Sequence, residues 1–530
     1  MKILIADNID EIGIQLINAE PEFEADVKTG LTPDALKDII GGYDAMIIRS
    51  ATRVTEDVLQ AGAPRLKAVA RAGIGLDNVD IPAATKYGVA VMNTPQGNTV
   101  TTAEHTLSML MALARNIPQG TCSLKAGHWE KKKLQGVEVF NKTLGVIGFG
   151  KIGCIVADRA RQFKMRVIIA DPNIPPANIE NEGHEPVTLE ELFARSDFIT
   201  VHVPKMPQTV GLLDKAAFAK MKNGVMVINC ARGGIINEAD LYEALTSGKV
   251  AGAALDVFET EPPGDSPLLK LPNVIATPHL GASTKEAQVN VAEAAARQII
   301  EYLKNDTIIN AVNVPAVSGE LLTKLAPFTT LAERIGATLA QFADGHLQEV
   351  TLEYTGDFQN LNLEPVTTAA IKGILTPFVQ HTINFVNATA FAADRGIKIT
   401  TKIDQTPTDF INLITISLIT SNGKATIAGT IFGKKEPRII RINDFRLEMI
   451  PTTGNFAIIH NLDKPGAIGS IGLLLGEHDI NIERMQVGQK GDNQRNVIFL
   501  RTDKKISGDV LSALKKLPAV KDVMVFELTE

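Results

Sequence analysis

The sequence predicts an α/β protein: two doubly wound parallel sheets, then an α+β segment and a small βαββαβ unit. Three observations carry that prediction. Short apolar strands alternate with helical stretches up to Asn313, the pattern of parallel sheets covered by helices. A Gly-x-Gly-x-x-Gly run, Gly148 to Gly153, sits between an apolar strand and a helical stretch. After Asn313-Val-Pro315 the order changes to helices followed by antiparallel-looking strands.

The first sheet is expected from strands at Lys2–Ala6, Ala45–Ile48, Leu66–Ala70 and Val89–Met92. A long helix, Thr101 to Asn116, leads toward the glycine run. The strand Thr143–Ile147 precedes that run, and the stretch Ile152 to Phe163 and the strand Arg166–Ala170 follow it. Further strands at Phe198–Val203, Val225–Cys230, Ala251–Val257 and Val274–Thr277 complete a doubly wound sheet. Ser283-Thr-Lys-Glu286 reads as a capping box opening a helix to about Lys304. Such a helix can return to the first sheet, giving a discontinuous first domain, 1–98 plus 285–312, around a second, 99–284. An α+β domain follows over 313–452, with helices at Leu321–Phe342 and Thr367–Phe378 and strands at Thr426–Phe432, Arg438–Ile442 and Arg446–Ile450. Thr452-Thr-Gly454 reads as a hinge, and 454–530 runs strand, helix, strand, strand, helix, strand, the ferredoxin-like order.

The glycine run offers a tight turn and backbone N–H groups that can cradle a pyrophosphate at a helix N-terminus. Asp171 lies eighteen positions past Gly153, at the end of the next strand. Its carboxylate can accept from both hydroxyls of an adenosine ribose and would repel a 2′-phosphate, which favours NAD over NADP.

Composition narrows the function classes. A net charge of −7 with no Lys/Arg stripe argues against nucleic acid, and Lys131-Lys132-Lys133 is too short for a binding arm. Cys122, Cys154 and Cys230 form no C-x-x-C, so neither a disulfide framework nor a zinc site is expected, and a reducing cytoplasm suits them. The strand-like Lys2–Ala6 followed by acids leads us to expect no signal peptide, and no apolar run reaches about 18 residues, so no membrane-spanning helix is expected. No metal site is expected.

A nicotinamide enzyme working on an alcohol must move a proton as hydride moves, and histidine suits that task. His279 follows Val274–Thr277, at a carboxyl end of the sheet, where such folds bind ligands. Glu261, also after a strand, can hold the imidazole, and the Arg232 fork can grip a substrate carboxylate. Singly, each is as readily a surface side chain; together they form a complementary set.

Asn229-Cys-Ala-Arg-Gly-Gly-Ile-Ile236, Asp256-Val-Phe-Glu-Thr-Glu-Pro262 and Pro278-His-Leu-Gly-Ala282 resemble signatures of the D-2-hydroxyacid dehydrogenases. Arg71-Ala-Gly-Ile-Gly-Leu-Asp-Asn-Val-Asp80 and His128-Trp-Glu-Lys-Lys-Lys133 resemble the branch that oxidises 3-phosphoglycerate. The resemblance spans the chain, including a middle domain and a C-terminal ACT domain. It implies two Rossmann-like domains, NAD as cofactor and a homodimer or homotetramer. It also implies Arg232, Glu261 and His279 as the catalytic set, with His279 moving the proton. By the same resemblance the cofactor touches Ile74, Gly148, Gly150, Lys151, Ile152, Gly153, Asp171, Val203, Cys230, Ala231, Arg232, Asp256, His279, Leu280, Gly281 and Ala282. Cys230 would contribute through its backbone, its side chain lying in the core. Lys151 and Val203 stand where relatives often carry Arg and Thr, which leaves backbone contacts intact.

A phosphorylated substrate needs an anion site. Arg49 and Arg71 directly follow expected strands and can point into the cleft, with Ser50, Gly73 and Asn98 adding hydrogen bonds. Trp129 is expected in the core or at a dimer contact. ACT domains bind amino acids between paired copies, so Asp463, Asn461 and Asn481 are the expected grip on an effector, L-serine being the candidate. Two alternatives remain at this point: a reductase of glyoxylate, hydroxypyruvate or 2-oxoglutarate, and an NAD-sensing interaction protein.

Overall fold

The computed structural model describes the chain except residues 316–318, 360, 380, 381, 407, 408, 434, 490–494 and 530, and no side chain at 319, 320, 322, 489 and 495. The first sheet holds β1 (Lys2–Ile5), β2 (Glu24–Val27), β3 (Ala45–Ile48), β4 (Ala68–Arg71) and β5 (Ala90–Asn93), in the order β2-β1-β3-β4-β5. All its pairs are parallel. The central strands are continuous apolar runs, buried on both faces, as a helix-covered parallel sheet requires. β2 escapes sequence reading because it is an edge strand, Glu-Ala-Asp-Val, with both ends exposed.

The second sheet holds β6 (Thr143–Ile147), β7 (Arg166–Ala170), β8 (Glu185–Pro186), β9 (Phe198–Val201), β10 (Val225–Asn229), β11 (Val250–Leu255) and β12 (Val274–Ala276). Its order is β12-β11-β10-β9-β6-β7-β8, again all parallel. The winding direction reverses between β6 and β9. A crevice therefore opens at their carboxyl ends, where nucleotides bind in such sheets.

The helix Lys285–Asn305 leaves the second sheet and packs Val291, Ala292, Ala295, Ala296 and Ile299 against Ile3, Ile5 and Ala68 of the first. Its cap is Thr284, whose hydroxyl accepts from Ala287 N, and not Ser283. The expected capping box is thus replaced by a simple threonine cap one residue later. Lys131 to Lys133 lie exposed beyond the helix Ile117–Lys125.

In the C-terminal half a six-stranded sheet runs 398–404, 347–356, 412–420, 423–432, 436–442, 445–449, covered by the helices Gly319–Phe342 and Glu364–Leu375. The strands at 347–356, 398–404 and 412–420 were not legible from composition. The last sheet, ordered 482–489, 495–502, 454–462, 520–528, alternates its side chains between two cores. Ala457, Ile459, Ile498 and Leu500 face the domain's own helices. Phe456, Ile458, Phe499 and Phe526 join the core of the preceding domain. Phe526 stacks on Phe456 at 5.2 Å and meets Phe342 edge-on at 5.3 Å. These two domains therefore share one apolar core. Gly454, the expected hinge, begins the strand Gly454–Leu462. Among the described residues no helix is long and apolar enough to cross a membrane.

Candidate active site

Parallel sheets present all their outgoing loops at one end, and every candidate residue in the first 282 positions lies on such a loop or just beyond it. In the glycine run, each glycine has its own reason. Gly148 has φ +93°, and a Cβ there would meet the His202 carbonyl oxygen at 2.6 Å, so only glycine permits the turn. A Cβ on Gly153 would lie 2.0 Å from Gly148 O, so the helix Lys151–Gln162 rests directly on the loop. Gly150, by contrast, faces open space, with nothing within 4 Å of a built Cβ. That is the free backbone approach a pyrophosphate needs, at the N-terminus of this helix.

Asp171 follows β7 and turns its carboxylate back onto this loop, accepting from Phe149 N at 2.8 Å and Asn173 N at 2.9 Å. Lys151 is exposed in the first turn of the helix, and Ile152 and Val203 are half-buried beside it. Beneath the loop, burial drives the His202 imidazole down to about 4, so it sits there neutral, with Nε2 3.1 Å from the Thr200 hydroxyl. The cradle and its acidic neighbour fit a dinucleotide.

β10 leads into Cys230, Ala231 and Arg232. Asn229 braces this turn by accepting from Ala231 N and donating to Arg232 O. The Cys230 thiol is buried, and burial, followed by the Asp256 charge, pushes it up to about 12, which makes it inert core. Arg232 crosses to the first domain, donating through Nε to Asp77 at 3.0 Å. Its guanidinium occupies the place a side chain on Gly75 would take, 1.8 Å from a built Cβ. The two sheets thus meet at this arginine, and Ile74 lies in the same loop of the first domain.

Arg71 ends β4 and folds over Gly73, where a Cβ would be 2.3 Å from Nη1. Its Nε is buried without a partner. Burial first, then the nearby Arg232 and Arg49 charges, pull its guanidinium down to about 10, with Asp77 and Asp7 opposing. Arg49 is held by its backbone N–H on Asp7 and by Nη1 on Asn8 O. Asn98 is buried with Oδ1 unpartnered, and its side chain makes no capping bond to the helix Thr99–Ala114. Ser50 is exposed at the rim. Arg71, Arg232 and Arg49 thus repel one another at close range, and such a group of cations suits an anion.

His279 follows β12 and has φ +55°. Its Nδ1 lies 2.7 Å from Glu261 Oε2, while Glu261 Oε1 accepts from Phe258 N. A carboxylate only accepts, so Nδ1 carries the proton and Nε2 is left for a substrate. Both side chains remain open, 43% and 38% exposed. Leu280, Gly281 and Ala282 complete the loop.

Asp256 lies just past β11. It is fully buried, and its oxygens take the N–H groups of Leu280 at 2.7 Å and Gly281 at 2.8 Å and the Thr277 hydroxyl at 2.6 Å. Its carboxylate thereby ties the His279 loop to the end of β11.

The effector candidates are divided. Asn461, near the end of the strand Gly454–Leu462, is 3% exposed with Oδ1 unpartnered, and Asp463 is exposed just beyond. Asn481 precedes the strand Ile482–Gln489. Strand pairing sets Ile482 opposite Thr502 and Thr502 opposite Asn455, so Asn481 is at the other end of the sheet. One chain does not bring Asp463 and Asn481 together. Trp129, expected in the core or at a contact between copies, is 82% exposed and not in the core. Among the described residues no cluster can hold a metal ion.

Comparison with known proteins agrees with this geometry. Residues 107–281 match the D-isomer specific 2-hydroxyacid dehydrogenase NAD binding domain, 324–443 the D-3-phosphoglycerate dehydrogenase intervening domain, and 456–519 the ACT domain. A D-3-phosphoglycerate dehydrogenase of Methanocaldococcus jannaschii is 42% identical, covering 100% of both chains. One of Synechocystis is 41% identical over 99% of this chain and 95% of its own. The D-lactate dehydrogenase of Escherichia coli superposes with a TM-score of 0.53 at 31% identity, over 59% of this chain and 100% of its own. An NAD complex of a formate dehydrogenase from Staphylococcus aureus gives 0.54 at 29% identity, over 60% and 100%.

Replacing Asp171 by Ala should weaken NAD binding and relax the preference against NADP, measured as the ratio of kcat/KM for the two cofactors. An unchanged ratio would assign ribose reading to another group.

Proposed function

This chain belongs to the D-3-phosphoglycerate dehydrogenase family, and from that premise we infer how its own residues perform the reaction. It oxidises 3-phospho-D-glycerate to 3-phosphohydroxypyruvate with NAD, the first step of L-serine biosynthesis. Bound NAD supplies the acceptor for the C2 hydrogen and its electron pair. The site residues do the rest. Nε2 of His279 takes the C2 hydroxyl proton as the carbonyl forms. Glu261, on Nδ1, fixes the tautomer and stabilises the imidazolium that results. Arg232 holds the substrate carboxylate, exchanging or sharing its contact with Asp77. Arg71 and Arg49, with Ser50, Gly73 and Asn98, receive the phosphate. The observation that carries this reading is the buried, unpartnered Arg71 Nε beside the charges of Arg232 and Arg49, in a chain that also holds the open His279–Glu261 pair on a strand-end loop. A reductase of smaller oxoacids has no use for such an excess of cations, and a purely NAD-sensing protein has no use for the open imidazole.

We assign substrate binding to 1–98 with 285–312, NAD binding to 99–284, the intervening domain to 313–452 and regulation to 454–530. The cofactor loop set, Gly148 to Gly153 with Val203, Cys230 to Arg232 and Leu280 to Ala282, borders the crevice at the reversal of winding, which supports its assignment. The helix Ile117–Lys125 buries none of its residues, and Ile117, Leu124, Trp129 and Phe140 are each more than half exposed. That apolar surface supports a homo-oligomer, a dimer or tetramer, in which a second copy covers it. The unpaired Cys122, Cys154 and Cys230 support a cytoplasmic location.

L-Serine is the proposed effector. The orphaned Asn461 Oδ1 and the exposed Asp463 carboxylate, before the Gly466 turn, suit an α-ammonium. Because Asn481 lies at the far end of the same sheet, a pocket that used both residues would take them from two copies, each lending the opposite end.

Two measurements test these assignments. His279→Ala should lower turnover by ~10²–10⁴-fold while NADH binding is nearly unchanged; turnover within about threefold of the parent would remove His279 from the chemistry. Calorimetric titration should show L-serine binding to the parent protein and lost in Asp463→Ala. No heat with the parent would make this domain structural or direct it to another ligand.

A further inference from the structure

His279 occupies a left-handed backbone conformation that non-glycine residues adopt rarely, so its surroundings must hold the turn. The holder is Asp256, whose carbonyl accepts from His279 N at 2.9 Å while its carboxylate accepts from Leu280 N and Gly281 N. A carboxylate with no access to water stays charged only if enough donors converge on it. Burial by itself would raise its pKa, but donors from His105, Thr277 and the Leu280 amide hold it below the ordinary carboxylate range.

His105 comes from the helix Thr99–Ala114, remote in sequence, and its Nε2 lies 3.2 Å from Asp256 Oδ1 and 3.1 Å from the Thr277 hydroxyl. The Thr277 proton is committed to Asp256 at 2.6 Å, so the hydroxyl can offer His105 only a lone pair. Nε2 of His105 therefore carries a hydrogen, donated into the Asp256–Thr277 pair. The same helix begins at Asn98 in the cleft, and its Thr102 approaches Gly281, 3.5 Å from where a Cβ would be.

We propose that His105 is a positioning residue: by donating from Nε2 it fixes the buried carboxylate that holds the His279 turn. The imidazole is thereby presented to Glu261 and to the substrate hydroxyl in a single orientation. This inference rests on His279 being the proton acceptor. Misplacement of a reacting group by ~1 Å costs about 10²-fold in rate, so a loosened turn should be felt in kcat more than in binding.

The test compares His105→Leu, His105→Gln and His279→Ala by steady-state oxidation of 3-phosphoglycerate, with the folded fraction of each counted by NADH binding. The expected result is a ~10²-fold fall in kcat for His105→Leu, with KM for NAD and 3-phosphoglycerate within about threefold of the parent. The glutamine amide still donates, so His105→Gln should recover at least about tenfold of that loss. Thr277→Val removes the other side-chain donor and should give the same kcat-selective loss, which keeps the test available if His105→Leu does not fold. A kcat for His105→Leu within about threefold of the parent, or a glutamine variant no better than leucine, overturns the proposal. A purely structural histidine would lower the folded fraction while leaving kcat per folded site intact. Full turnover in His279→Ala would instead overturn the catalytic reading on which the proposal rests. A dead His279→Ala beside a normal His105→Leu overturns this proposal alone.

Discussion

The buried Asp256 carboxylate is the interaction on which the site depends. It sits just past β11 and gathers two backbone amides, a hydroxyl and an imidazole, from the loop after β12 and from the helix Thr99–Ala114. An ion without water must be paired this fully or lose its charge. Because most of its donors belong to the loop that carries His279, satisfying the carboxylate and placing the imidazole are the same event. Removing the charge would release both.

Around that fixed point the architecture leaves other groups deliberately unfinished. Arg71 is buried with an open Nε, Asn98 with an open Oδ1, and Gly150 borders empty space. The Asp256 network is closed, whereas the cleft is open to what it binds. Arg232, tied to Asp77 of the first domain, links the two domains. A substrate carboxylate that drew it away from Asp77 would change a contact between the two domains.

The fold was legible where local physics decides. The central strands are apolar runs, and the glycine run with Asp171 has one physical reading in that setting. The strand-end positions of His279, Glu261 and Arg232 were legible because each follows an apolar run, while their joint role came from the resemblance. Reading failed where the cause is not local. β2 is a charged edge strand with nothing to mark it, and Ser283 lost the cap to Thr284 because the helix begins one residue later. His105 gave no signal, since its partner Asp256 is 151 positions away in sequence and their proximity is a tertiary fact. Asp463 and Asn481 both flank strand ends in sequence, yet strand direction puts them at opposite ends of the sheet. The donors that converge on Asp256 come from the loop 277–281 and from the helix Thr99–Ala114, an arrangement set by tertiary structure.

The most direct measurement is NADH formation by the unmodified protein with 3-phosphoglycerate, D-glycerate and D-lactate at equal ionic strength. If the cation cluster of Arg71, Arg49 and Arg232 is the phosphate and carboxylate site, kcat/KM should favour 3-phosphoglycerate over both unphosphorylated acids. A charge-assisted contact contributes about 1.5–3 kcal/mol, so the margin should be at least about tenfold and reach about a hundredfold. Equal kcat/KM for all three acids would contradict it.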